Sequence, residues 1–94
     1  MKLTWSMQAL ADLNRFAVFL QDRHPALARR IGREILRRAE IIGDYPELGR
    51  PIRSSAFREL SLAVMGATYI LRYAYDDNGV VILRVFHSRE QRET

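Results

Sequence analysis

Cysteine is absent from this sequence and lysine occurs once, at Lys2. The first absence excludes disulfides and thiolate metal sites and suits a reducing, cytoplasmic setting. The two histidines, His24 and His87, stand far apart and outside any ligand spacing, which argues against a structural metal site. No apolar run approaches the roughly 18 residues that a membrane span requires. Nor does a basic start lead into an apolar signal core, because Met1–Trp5 passes straight into strand-like sequence. The expectation is a soluble, unexported chain without cofactor. Its 94 residues make one domain, and 48% hydrophobic content is enough for a packed core without covalent staples.

What the chain has in quantity is arginine, which supplies 14 of its 15 basic residues against 11 acidic ones, for a net charge of +4. The planar guanidinium binds carboxylate or phosphate through two parallel hydrogen bonds and keeps its charge when partly buried. Residues 1–43 hold 8 basic and 4 acidic groups, while residues 44–94 hold 7 of each. The excess therefore lies in the first half, and such a basic domain suits nucleic acid or an acidic protein surface.

Lys2–Trp5 reads as a short strand, with Ser6 as the N-cap of a helix running from Met7 to Arg23. Ala9, Leu10, Leu13, Phe16, Ala17 and Leu20 form its apolar face. Pro25 stops that helix and suits the first turn of a second, from about Ala26 to Ile42, which Gly43 ends. Arg29, Arg30, Arg33 and Arg37 point away from its apolar stripe, so a solvated helix back and an acidic or nucleic-acid partner are both open readings. Asp44–Ser55 is a loop in which Gly49 and Pro51 shape the backbone. Strands follow at Phe57–Val64, Thr68–Tyr75 and Val80–His87, with Asp76–Gly79 as a hairpin turn.

The order β-α-α-β-β-β predicts an α+β domain: an antiparallel sheet with the helical hairpin packed on one face. Trp5 and Phe16 are core anchors, and Tyr69, Tyr73 and Tyr75 share one face. The other face is open, and Arg58, Arg72 and Arg84 gather there if the register allows. The last strand ends in His87, Arg89 and Arg92, which reads either as an anion site on a rigid element or as a strand fraying into a loose tail at 88–94.

Six features occur in family order: the strand ending in Trp5, Ala11-Asp12-Leu13, the arginine-rich second helix, Pro46–Pro51, Arg58-Glu59-Leu60, and Ile82–His87. On these the chain resembles toxins of the RelE/ParE superfamily from type II toxin–antitoxin modules, over nearly its whole length. The resemblance implies a small cytoplasmic protein that causes growth arrest or plasmid stabilisation. A small DNA-binding antitoxin would neutralise it, wrapping the toxin with its C-terminal segment and alone contacting operator DNA. The residues that would meet the antitoxin are Phe19, Arg33, Arg37, Tyr69 and Tyr73.

Two activities divide the family, ribosome-dependent cleavage of messenger RNA in RelE-like members and poisoning of DNA gyrase in ParE-like members. RNA cleavage would draw on Arg58, Arg84, His87 and Arg89 for phosphate binding and proton transfer. Where the family often carries arginine on the third strand stand Ile70 and Ala74, with Arg72 expected on the opposite face. The His87-Ser88-Arg89 ending looks more ParE-like, with Arg89, Arg92, Arg58 and His87 as gyrase contacts. A non-toxic partner of a DNA-binding protein is the third reading. Residue by residue, Arg58 serves equally as half of an ion pair with Glu59, and His87 as a backbone hydrogen-bonding group.

Overall fold

The computed structural model describes residues 1–21, 24–53 and 55–90. Strand β1 is Leu3–Trp5, and helix α1 follows over Met7–Gln21. Ser6 caps it as expected. Its Oγ accepts the Ala9 N–H at 3.0 Å and donates to the Leu83 carbonyl at 2.9 Å, so one hydroxyl starts the helix and ties it to the sheet. The expected extension of α1 to Arg23 falls on residues outside those described.

Helix α2 is Pro25–Ala39, opened by proline in its first turn and closed by Arg37 and Arg38 in its last. The predicted run to Ile42 instead breaks at Glu40 and restarts as the short helix α3, Ile41–Asp44. Gly43 thus lies inside α3 and is not the terminator of α2. The break turns Ile42 fully into the core and lets the Gly43 carbonyl accept the Met1 amino group at 2.7 Å.

The segment read as a loop contains a two-residue strand, β2 (Arg50–Pro51). Strands β3 (Arg58–Val64), β4 (Ala67–Asp76) and β5 (Gly79–His87) follow, and the sheet order is β1-β5-β4-β3-β2. Strands β2 to β5 pair antiparallel, while β1 lies parallel to β5 with Leu3 opposite Val80. A parallel pair needs a long crossover, and here the helical hairpin and the meander supply it. Met65 and Gly66 join β3 to β4 with φ of 51° and 87°, the left-handed turn that matches sheet twist. Gly79 has a φ of 142°, and a Cβ there would stand 2.6 Å from the Lys2 carbonyl, so both backbone and β1 demand glycine.

Ile31, Ile35, Ala39 and Ile42 from the helices close on Leu62, Leu71, Tyr73, Ile82 and Val85 of the sheet. Trp5 and Phe16 are half-buried at the rim of this core. Tyr69 and Tyr73 are 3% and 0% exposed. They are core residues, which corrects the expectation that they meet an antitoxin: alternation along β4 turns both under the helices. Burial pushes both phenols above the ordinary tyrosine range. The Tyr73 hydroxyl donates to the Pro46 carbonyl at 2.6 Å and accepts the Gly49 N–H at 2.8 Å, pinning the loop before β2. A Cβ at Gly49 would lie 2.7 Å from that oxygen, so the loop can close on the tyrosine only as glycine. Among the described residues no helix is long and apolar enough to cross a membrane.

Candidate functional site

Period-two alternation sends Thr68, Ile70, Arg72 and Ala74 of β4 to the face away from the helices. Arg72 therefore shares a face with Ile70 and Ala74, where the opposite was expected. Across from it on β5 stands Arg84, and across from Ile70 stands Phe86. A register shift between Arg72 and Tyr73 leaves Leu83 unpaired and keeps both arginines on the same side.

Neither guanidinium is idle. Arg72 gives Nε and Nη2 to Glu59 Oε2 at 3.0 and 2.9 Å, and Glu59 is only 8% exposed. Arg84 gives Nε to Asp12 Oδ2 at 2.8 Å and Nη2 to Oδ1 at 3.1 Å. The hydrogen bond to Asp12 raises the guanidinium pKa, against the opposing effect of burial. The Phe86 ring meets both cations, with the Arg72 and Arg84 guanidinium carbons 5.1 and 5.0 Å from its centre. The face away from the helices thus carries a Phe86 ring that is only 5% exposed, beside two arginines that each meet a carboxylate.

The network continues beyond the sheet. Asp12 Oδ2 also accepts the Val85 N–H at 2.8 Å, and Arg15 bridges Asp12 at 3.3 Å to Glu90 at 3.0 Å. Glu90 in turn accepts the His87 N–H at 2.8 Å. Ser88–Glu90 is a bonded turn, with the Ser88 N–H on Thr68 and the Glu90 N–H on His87, so the first part of the expected loose tail is anchored. Arg92 lies outside the described residues.

Arg58 is not on the open face. It shares the helix side with Leu60 and Leu62, and its Nη1 donates to the Glu47 and Gly49 carbonyls at 3.2 and 2.7 Å. The expected Arg58–Glu59 pair does not form, because successive residues of a strand face opposite ways. His87 also turns to the helix side, opposite Tyr69 and edge-on to its ring at 5.3 Å. Its Nδ1 accepts the Arg89 N–H at 3.1 Å, which leaves Nε2 to carry the proton of the neutral ring. Arg58 and His87 sit against Tyr73 and Tyr69, four residues apart on β4 or about 13 Å. The four residues expected to cut RNA are therefore not gathered: Arg84 faces away from Arg58 and His87, and Arg89 is exposed beyond the strand.

Of the residues expected to meet an antitoxin, Phe19 is 78% exposed on α1, and Arg33 is exposed on α2. Arg37, also exposed, pairs with Glu34, whose carboxyl it holds below the usual range. Met7, Leu10 and Val18 extend the exposed apolar surface of α1, beside an α2 whose outward face is arginine. Asp12, Glu59 and Glu90 were not foreseen as site residues. Asp12 falls in the arc of Ala9, Leu13 and Phe16, and an acid on an apolar helical face signals a buried partner. Glu59 and Glu90 carry no such local signal. No group of three metal ligands occurs among the described residues.

Residues 3–92 match the family model described as the ParE toxin of the type II toxin–antitoxin system parDE. The chain is 31% identical over 87 residues to the toxin RelE1 of Caulobacter vibrioides, covering 93% of this chain and 92% of that protein. It is 36% identical over 85 residues to the toxin RelE3 of the same organism, covering 90% and 91%. A putative toxin, Y4kP of Sinorhizobium fredii, is 31% identical over 90 residues, covering 96% and 91%. A chain of the chromosomal ParDE toxin–antitoxin system from P. aeruginosa has the same fold, with a TM-score of 0.78 at 21% identity over 93% of this chain and 95% of that one.

Proposed function

Because the chain belongs to the RelE/ParE superfamily of type II toxin–antitoxin toxins, we propose that it poisons DNA gyrase by binding, holding the enzyme on cleaved DNA. The observation that carries this reading is the state of the open face. A phosphoryl-cleaving site needs uncommitted cations for the developing charge and an acid or base within reach of the 2′-hydroxyl. Here Arg72 and Arg84 are held by Glu59 and Asp12, Ile70 and Ala74 are apolar, and His87 and Arg58 lie on the other face. The ParE description of the matching family supports the same reading.

The working surface is then the end of β5, where Arg89 projects beyond the strand from a turn braced by Glu90 and Arg15. Arg92 is its second contact. Arginines presented there suit an acidic protein patch or DNA phosphates. The partner that restrains the toxin is a cognate antitoxin, and Phe19, Arg33 and Arg37 on the exposed helical hairpin are the side chains offered to it.

The test adds purified protein to gyrase, supercoiled plasmid and ATP, and removes protein before electrophoresis. Linear DNA should accumulate, and Arg89→Ala should abolish it. The names of the Caulobacter relatives favour a second reading, ribosome-dependent cleavage of messenger RNA. Unchanged plasmid, together with A-site cuts in a translating extract, would establish that reading. Silence in both assays would leave a non-toxic partner of a DNA-binding protein.

A further inference from the structure

Among the described residues three turns close in the same way, a side chain accepting the backbone N–H two residues on. Asp76 Oδ1 takes the Asn78 N–H at 2.8 Å between β4 and β5, and Ser55 Oγ takes the Phe57 N–H at 3.1 Å before β3. At the end of β5 the acceptor is His87 Nδ1, which takes the Arg89 N–H at 3.1 Å. Oxygen acceptors of Asp, Asn and Ser ordinarily make such closures. A ring nitrogen does so only while the imidazole is neutral. Histidine is also the side chain whose ordinary titration falls between about pH 5 and 8.

What a proton would disturb here is narrow. The rest of the turn is held by bonds that do not use the ring. The His87 N–H meets Glu90 Oε1 at 2.8 Å, while the Ser88 N–H on Thr68 and the Glu90 N–H on His87 each span 2.9 Å. The ring stands edge-on to the buried Tyr69, itself packed edge-on to Phe16 of α1. The titratable and charged groups around it are Tyr69 from β4, Arg15 from α1 with Asp12 behind it, and Arg89 and Glu90 from the turn. Arg15 ties Asp12 to Glu90, so both carboxylates are already engaged. A proton on Nδ1 therefore sets two N–H groups against each other and leaves Ser88, Glu90 and the strand in place. The residue it releases is Arg89, the exposed arginine of the turn.

We propose that His87 is a positioning residue for Arg89: the neutral imidazole fixes the Arg89 backbone at the end of β5, and the imidazolium lets it go. In this role His87 touches no target and passes no proton to one. It sets the direction in which Arg89 leaves the turn. The latch is a property of the free protein, while its consequence rests on the reading of the β5 end as the working surface. On that reading the action of Arg89 on gyrase weakens as the ring takes up its proton.

The test compares the full chain with H87N, which offers the same N–H an oxygen that does not titrate, and with H87F, which keeps a ring and offers nothing. Exchange of the Arg89 amide with water is measured by NMR and scaled to the rate in an unstructured peptide. In the wild type it should be slowed about three- to tenfold at about pH 7.5 and unslowed at about pH 5.5. H87N should be slowed at both pH values and H87F at neither, with the Ser88 and Glu90 amides protected throughout. Protection of the Arg89 amide that ignores pH in the wild type, or changes equally in H87N, would overturn the latch. The wild-type series needs no substitution, so a folding defect in a variant cannot mimic the result. In the gyrase assay, the concentration giving half-maximal linear DNA is taken as the ratio of wild type to H87N, which cancels the pH dependence of gyrase itself. That ratio should rise at least about threefold from pH 8 to pH 6. A flat ratio beside the expected exchange would overturn the positioning role. Linear DNA from none of the three proteins would overturn the gyrase reading, and the latch would then stand or fall on exchange alone.

Discussion

Asp12 and Arg84 are 72 positions apart in the chain, yet a two-point fork joins them, Nε to Oδ2 at 2.8 Å and Nη2 to Oδ1 at 3.1 Å. The same Oδ2 caps the Val85 N–H, so one buried carboxylate fastens the first helix to the last strand and closes the strand's edge. A charged fork of this kind is stronger and more directional than a neutral hydrogen bond.

Asp12→Ala removes the carboxylate and leaves the Val85 N–H without its partner. Arg84 is 37% exposed and can turn to water, so the loss is that of the fork and of the unmet Val85 N–H, about 2–3 kcal/mol, still a large share of the roughly 5–15 kcal/mol that holds an ordinary domain. Urea unfolding should show a loss of that order. A loss below about 1 kcal/mol would mean that the fork is not a fastening of the fold.

Arg72 and Arg89 should separate stability from function. Arg72→Ala removes a two-point hydrogen-bonding partner from the nearly buried Glu59 carboxylate and should cost about 1–3 kcal/mol. Arg89 is exposed, and Arg89→Ala should leave stability within about 0.5 kcal/mol while abolishing gyrase-dependent breaks. A stable, fully toxic Arg89→Ala variant would remove the β5 end from the working surface.

Tyr73→Phe keeps the ring and deletes the oxygen that joins Pro46 to Gly49. Leaving a buried N–H unmet should cost about 1–3 kcal/mol. Proteolysis within the loop before β2 should accelerate, and an unchanged rate would show that the loop is held otherwise.

Met65 occupies a left-handed turn position with φ 51°, a conformation that costs a side-chain-bearing residue about 1 kcal/mol and that asparagine tolerates better. Met65→Asn should raise the urea midpoint without altering the slope. A lowered midpoint would mean that the exposed methionine contributes more through its contacts than it loses in its backbone.

The buried phenols set an upper pH limit. Tyr69 and Tyr73 have pKa values raised above the unfolded 10.0, so the unfolded chain loses these protons first. Their contribution is complete below about pH 10 and falls as pH rises toward the folded values. Urea midpoints at pH 8 to 11 should decline above pH 10, and less steeply in Tyr69→Phe.

The order of helices and strands was legible because period 3.6 in α1 and α2 and period 2 in β3 to β5 are local patterns, and Ser6, Pro25 and Gly79 punctuate them. What escaped was non-local. The parallel pairing of β1 depends on where β5 returns, and β2 exists only because β3 offers it an edge. The sequence leaves open which face Arg58 takes, because strand register, unlike strand existence, is set by partners. The acids that occupy Arg72 and Arg84 are invisible for the same reason, although Asp12 on an apolar arc signals a buried partner.

The parallel union of residues 3–5 with β5 bears on when the fold can be completed. A ribosome emits β1 well before β5, its strand neighbour among the described residues. Asp12 likewise waits for Arg84 and Val85. No nascent chain short of residues 79–87 can complete the sheet, and the arginines at its end follow later still. The sheet is therefore completed only once β5 has emerged, which gives a partner already present in the cell the whole interval between β1 and β5 in which to be waiting.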